Sequence, residues 1–234
     1  MLPKELLERS PLSALDEALR GTVGKGHLGI VIARHGAGKT PFLVCVALDR
    51  LLRGERVLHI SLDQKVEHVR EFYDQIFDEL VSGQNVQDLL QTRLEMERAR
   101  RIHTYLGNSF SVEKLKTAVA FLSEHASYEP ELLLVDGYDF SKATVEELSG
   151  ILDVAKELNA GLWMTAVRHR HEPVQDGEGI PQPVAAFKDL ASLVLDLRTT
   201  NGCVEIRLLK PTGKLPKGEM PFVLDPTTML IREK

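Results

Sequence analysis

The sequence predicts an α/β fold with a mostly parallel central sheet and antiparallel edge strands at its C-terminal end. Three observations carry that prediction. Short apolar, β-branched runs alternate with segments whose apolar residues recur every three or four positions. The first run leads directly into a glycine-rich loop that opens a helical segment. The last runs follow one another closely, and Asn201-Gly202 between two of them is a hairpin signal.

Each element has its own warrant. Ser10-Pro11-Leu12 is an N-cap with proline in the first turn, Leu12, Leu15 and Leu19 form an apolar stripe, and Gly21 is a stop. Residues 1–21 are therefore expected to be an entry helix, and residues 22–234 the main domain. Leu28 to Ile32 suits a strand buried on both faces. A helix follows from Pro41 to Leu52, ending near Gly54, and Val57 to Leu62 is a second buried strand.

Val66, Val69, Tyr73, Ile76 and Leu80 mark an amphipathic helix that fades into the polar stretch from Ser82 to Arg101, read as an insertion. Arg98, Arg100 and Arg101 are expected on an exposed helix face rather than in a nucleic-acid patch. Arg101 to Leu106 is a short strand. Ser111 caps a helix carrying Val112, Leu115, Val119 and Leu122. Leu132 to Val135 is the next buried strand.

Thr144 with Glu147 forms a capping box before a helix from Val145 to Leu158, and Leu162 to Val167 is another strand. Pro173, Gly177, Gly179 and Pro181 mark Arg168 to Lys188 as a loop. Leu193 to Leu197, Val204 to Leu209 and Phe222 to Leu224 complete the sheet.

The 234 residues fit one large domain. At 43% hydrophobic and 27% charged the composition is ordinary and globular. Met1 to Arg9 lacks a signal-peptide core, and no apolar run approaches the roughly 20 residues needed to cross a bilayer, so a soluble, cytoplasmic protein without membrane attachment is expected. Cys45 and Cys203 lie in apolar runs and are expected as buried thiols in a reducing compartment. A net charge of -5 argues against holding nucleic acid by whole-body electrostatics, so nucleic acid is not favoured as a partner.

The loop Ala33-Arg34-His35-Gly36-Ala37-Gly38-Lys39-Thr40, followed by Pro41, matches the Walker A pattern except that alanine stands at the first glycine. Its glycines let the backbone fold around phosphates and expose N–H groups at a helix N-terminus. Lys39 reaches the β- and γ-phosphates, and the Thr40 hydroxyl takes magnesium. The flanking strand and helix supply the context the motif requires. ATP and Mg2+ are thus the expected cofactors.

Asp136 ends the strand Leu132 to Val135, as a Walker B acid orienting magnesium from a neighbouring strand does; a loop-start aspartate is the alternative. Asp63 ends the second strand, where a carboxylate polarises the attacking water if the two strands are neighbours, or caps the next helix. His169-x-His171 beside Glu172 lacks a third metal ligand at a recognisable spacing and reads as a solvated or phosphate-facing cluster.

Ser13-Ala14-Leu15-Asp16-Glu17-Ala18-Leu19, Gly26 and Ala33 to Thr40 resemble the opening of KaiC and DnaB-type replicative-helicase ATPase domains, members of the RecA-like superfamily. Ser61-Leu62-Asp63 is similar to the helicase family's Ser-Leu-Glu, Leu134-Val135-Asp136 to its Walker B strand, and Lys188-Asp189-Leu190-Ala191-Ser192-Leu193-Val194-Leu195 to the segment entering a later strand. The resemblance spans most of residues 12–232. It implies a RecA-like three-layer α/β/α fold, magnesium-dependent ATP hydrolysis with Asp63 in the base position, and a homo-oligomer whose sites lie between subunits.

Three departures accompany it. Asp63 is one methylene shorter than the family's glutamate. The family's polar sensor is replaced around Arg168-His169-Arg170. Lys210-Pro211-Thr212 keeps the lysine of a Lys-x-Arg element and loses its arginine, leaving Lys210 or Lys214 either to act on a neighbour's γ-phosphate or to stand as solvated loop lysines. Three functions follow: an ATPase that drives changes in subunits or an unidentified protein partner, a nucleotide-binding switch with little hydrolysis, and, ranked last, a DNA-handling recombinase or helicase.

Overall fold

The computed structural model describes residues 24–83, 88–107, 109–168, 179–200, 202–211 and 217–234. The expected entry helix, the His169–His171 cluster, Lys214 and Asn201 lie outside the described residues. In chain order the elements are β1 (Leu28–Ala33), α1 (Lys39–Leu52), β2 (Val57–Ser61), α2 (Val66–Val81), α3 (Leu89–Ala99), β3 (Arg100–Thr104), α4 (Val112–Ala126), β4 (Leu132–Asp136), α5 (Val145–Glu157), β5 (Gly161–Val167), a 3-10 turn (Val184–Phe187), β6 (Leu193–Thr200), β7 (Cys203–Lys210), β8 (Gly218–Leu224) and β9 (Ile231–Glu233).

The fold is α/β, with one sheet in the order β3-β2-β4-β5-β1-β6-β7-β8-β9. Its strands are parallel from β3 to β6 and antiparallel from β6 to β9. The parallel strands carry nearly unbroken apolar runs because helices cover both faces. Alternate residues serve separate cores: Val31, Leu132, Leu134, Trp163 and Leu195 pack with α1 and α2. Ile30, Ile32, Leu133, Val135 and Met164 pack with α4 and α5.

Two of the expected N-caps are present, although among the described residues the Glu147 carboxylate does not return a bond to the Thr144 N–H, so the capping box is only half formed. Ser111 accepts from the Lys114 N–H, and Thr144 accepts from the Glu147 N–H at 3.1 Å. Gly202 has φ 89°, as the hairpin signal requires of its glycine.

Four expectations are corrected. The stretch from Ser82 to Arg101 contains α3; its buried face is only Thr92 and Met96, too narrow for the apolar period to signal, while good helix formers fill the remainder. Arg100 is buried on β3, stacked over the Tyr73 ring at 4.4 Å, rather than exposed on a helix. Cys203 is only partly buried at the start of β7, whereas Cys45 is buried as expected, and both thiols are free. The edge gains β9, a three-residue strand in which only Ile231 is buried, and β8 begins at Gly218 because its first half alternates between buried and exposed residues and gives a weaker apolar run.

Beneath α2, His59 of β2 is fully buried, with Nδ1 3.1 Å from the Tyr73 hydroxyl. Burial, followed by the Arg100 charge, pushes its pKa down to about 3. No helix among the described residues is long and apolar enough to cross a membrane.

Candidate functional site

The parity of each strand decides which side chains meet at the sheet's C-terminal edge. On β2, β4 and β5, Ser61, Asp136 and Thr165 continue the rows that face α1. The loop after β1 arrives at the same edge and turns into α1. The Gly36 and Gly38 φ values of 73° and 84° lie in the left-handed region that glycine adopts cheaply. Gly38 caps α1 without a side-chain hydrogen bond, so the first-turn N–H groups remain available to an anion.

A cavity of about 350 Å³ opens above this edge. His35 to Pro41, Asp63, Gln64 and Asp136 form its polar part; Phe72, Val204, Leu224, Pro226 and Met229 form its apolar wall. Ala33 and Arg34 do not line it. Ala33 is instead the buried last residue of β1, paired with Val167 and Leu197, where no glycine conformation is needed. The alanine in the Walker A pattern is therefore structurally compatible with the loop.

Thr40 Oγ1 donates to Asp136 Oδ2 at 2.5 Å, and Thr165 Oγ1 donates to Asp136 Oδ1 at 2.7 Å. Thr165 in turn accepts from the Gly137 N–H at 2.8 Å. Both oxygens of the buried Asp136 are thus fixed. Asp136 is expected from the sequence on a strand neighbouring β1, but β5 intervenes. Asp136 still reaches Thr40 because α1 lies across the β4 edge.

The condition set for Asp63 is met, since β2 and β4 pair with Ser61 opposite Asp136. Asp63 is exposed on one side and lies close to Gly137 on the other. Its pKa is raised, first by burial and then by the Asp136 charge. Among the described residues no first-turn N–H of α2 donates to the Asp63 carboxylate; α2 has Lys65 at its cap, without a side-chain bond. Lys39 donates to the Arg34 carbonyl at 3.3 Å. Burial lowers its pKa, while Asp136 and Asp63 act in the opposite direction.

The Lys210 ammonium donates to the Lys188 and Ala191 carbonyls of its own chain and does not line the cavity. Arg168, at the expected sensor position, pairs with buried Asp196 at 3.1 Å, as does Arg198 at 2.6 Å. Asp196 alternates with Val194 on the face covered by α4 and α5, so Arg168 turns away from the cavity. Thr165, Gln64 and Phe72 were not foreseen. Thr165 had a signal, as a polar residue inside an apolar strand, and Gln64 had only its adjacency to Asp63.

A scan of family models and a search of curated proteins give no match to this chain.

Proposed function

We propose that the protein binds ATP with magnesium in this cavity and hydrolyses it, using a RecA-like three-layer α/β/α fold. The observation that carries this reading is the 2.5 Å hydrogen bond between Thr40 and Asp136 beside Lys39 and an open helix N-terminus. A hydroxyl and a fixed carboxylate are hard oxygen groups of the kind magnesium takes together with substrate phosphates and water. Among the described residues no cluster of three His, Cys, Asp or Glu forms a complete protein cage. Thr40 would hold the ion and Asp136 would orient it; magnesium would supply charge neutralisation on the phosphates.

Lys39 would add a positive charge that is already partly stripped of water, and its N–H donors would bind the phosphate oxygens. Asp63 would accept the proton of the attacking water; its raised pKa matches a base that works nearer neutral pH than an ordinary carboxylate. The apolar wall of Phe72, Leu224 and Met229 would take the base. Coupling of turnover to contacts in a homo-oligomer follows from the family resemblance. Purified protein with Mg-ATP is expected to release phosphate, and Lys39→Ala to stop the release; equal release by the variant rejects the assignment.

A second reading, a nucleotide-dependent switch with little turnover, draws on Lys210. Its ammonium is engaged by two carbonyls of its own chain, which disfavours a reach to a neighbour's γ-phosphate. Tight nucleotide binding without phosphate release, in the assembled state, supports that reading over the first.

A further inference from the structure

The hydrogen-bond network around Thr40 leaves its oxygen little freedom. The single hydroxyl proton is committed to Asp136 Oδ2 at 2.5 Å. Gln64 Nε2 lies 3.2 Å from the same oxygen, so Thr40 accepts there, and the Gln64 amide must present its NH2 rather than its carbonyl. A hydroxyl oxygen has one covalent carbon, one proton and two lone pairs. With one lone pair taken by Gln64, a single lone pair remains.

Gln64 is itself firmly placed. Its backbone N–H donates to Ser61 Oγ at 3.1 Å, and the preceding Leu62 N–H donates to the Asp136 carbonyl at 3.0 Å. The side chain lines the cavity, and its Oε1 is buried without a hydrogen-bond partner among the described residues. An unpaired buried acceptor is costly unless a donor arrives.

We propose that Gln64 is a positioning residue for a divalent cation, its Nε2 holding the Thr40 hydroxyl so that the remaining lone pair of Thr40 stays available to the cavity. The inference rests on the magnesium-nucleotide reading of the site and adds a residue that the Walker motifs do not contain. Groups that orient a metal ligand from behind typically change metal affinity by about 10–100-fold when removed.

The test is a magnesium titration of the binding of a fluorescent ATP analogue to the full chain, in wild type and Gln64→Met, which keeps the length and removes the donor. The magnesium concentration at half-saturation should rise about 10–100-fold in the variant. Binding of the analogue in EDTA should change far less than the magnesium midpoint, and the thermal midpoint should not fall, because the variant also removes the unpaired Oε1. An unchanged magnesium midpoint overturns the inference, and so does an equal loss of metal-free binding, which marks Gln64 as a general prop of the pocket. If Gln64→Met does not fold, Gln64→Ala removes the same donor and is titrated instead. A wild type that fails to bind the analogue, or binds it without regard to magnesium, refutes the nucleotide reading itself and the inference with it.

Discussion

The carboxylate of Asp63 lies against the backbone of Gly137, so close that a Cβ at Gly137 would stand 2.7 Å from Asp63 Cγ. Gly137 also has φ 79°, a region that costs other residues roughly 1–2 kcal/mol. Gly137→Ala is therefore expected to displace Asp63, reducing phosphate release about 100-fold, the lower end of what a positioned acid–base group contributes. Nucleotide affinity should change far less, because Lys39 and the loop amides are untouched. Chemical denaturation should show the backbone cost, and normal turnover in the variant would exclude Asp63 from the chemistry.

Burial and the Asp136 charge hold Asp63 above the ordinary carboxylate range. A base acts only when deprotonated, so turnover should fall as pH drops through the raised pKa and level off above it. Asp63→Asn should remove turnover while nucleotide still binds. A pH–rate profile for wild type that stays flat down to the usual carboxylate range rules out this role.

Thr165 holds one oxygen of Asp136 and takes the Gly137 N–H. Thr165→Val keeps the shape and leaves both groups without that partner. A loss of about 1–3 kcal/mol in unfolding free energy is expected, together with a higher magnesium requirement for nucleotide binding. Urea denaturation checks the first effect and a magnesium titration the second.

His59 has a folded pKa of about 3 against an ordinary value of 6.5. Between these values the unfolded chain takes up a proton that the folded chain refuses, so stability rises with pH across this window and is lost as pH falls. The slope attributable to His59 approaches about 1.4 kcal/mol per pH unit. His59→Gln should remove that component, as measured by denaturant unfolding at several pH values within the window.

The strand-loop-helix around Gly36 to Thr40 was legible because a continuous apolar run, two glycines and a Lys-Thr pair are local features. The alternation of strands and helices was legible for the same reason, since each apolar period reports its own burial. Strand order was not: the insertion of β5 between β1 and β4 is set by packing between elements far apart in sequence. Gln64 and Thr165 were missed because their roles arise only when β2, β4 and β5 align at one edge. Arg168 shows the reverse case, since the resemblance implies a polar sensor near its position but its charge is drawn to the buried Asp196 on the opposite face.

Calorimetric titration of Mg-ATP into wild type and Lys39→Ala bears most directly on the cavity as a nucleotide seat. Wild type should bind one nucleotide per chain, and the variant should bind at least about 100-fold more weakly, or about 2.7 kcal/mol, for the loss of a charge-assisted contact in a partly desolvated site. Equal affinity in the two proteins, or no binding by wild type, would contradict the assignment.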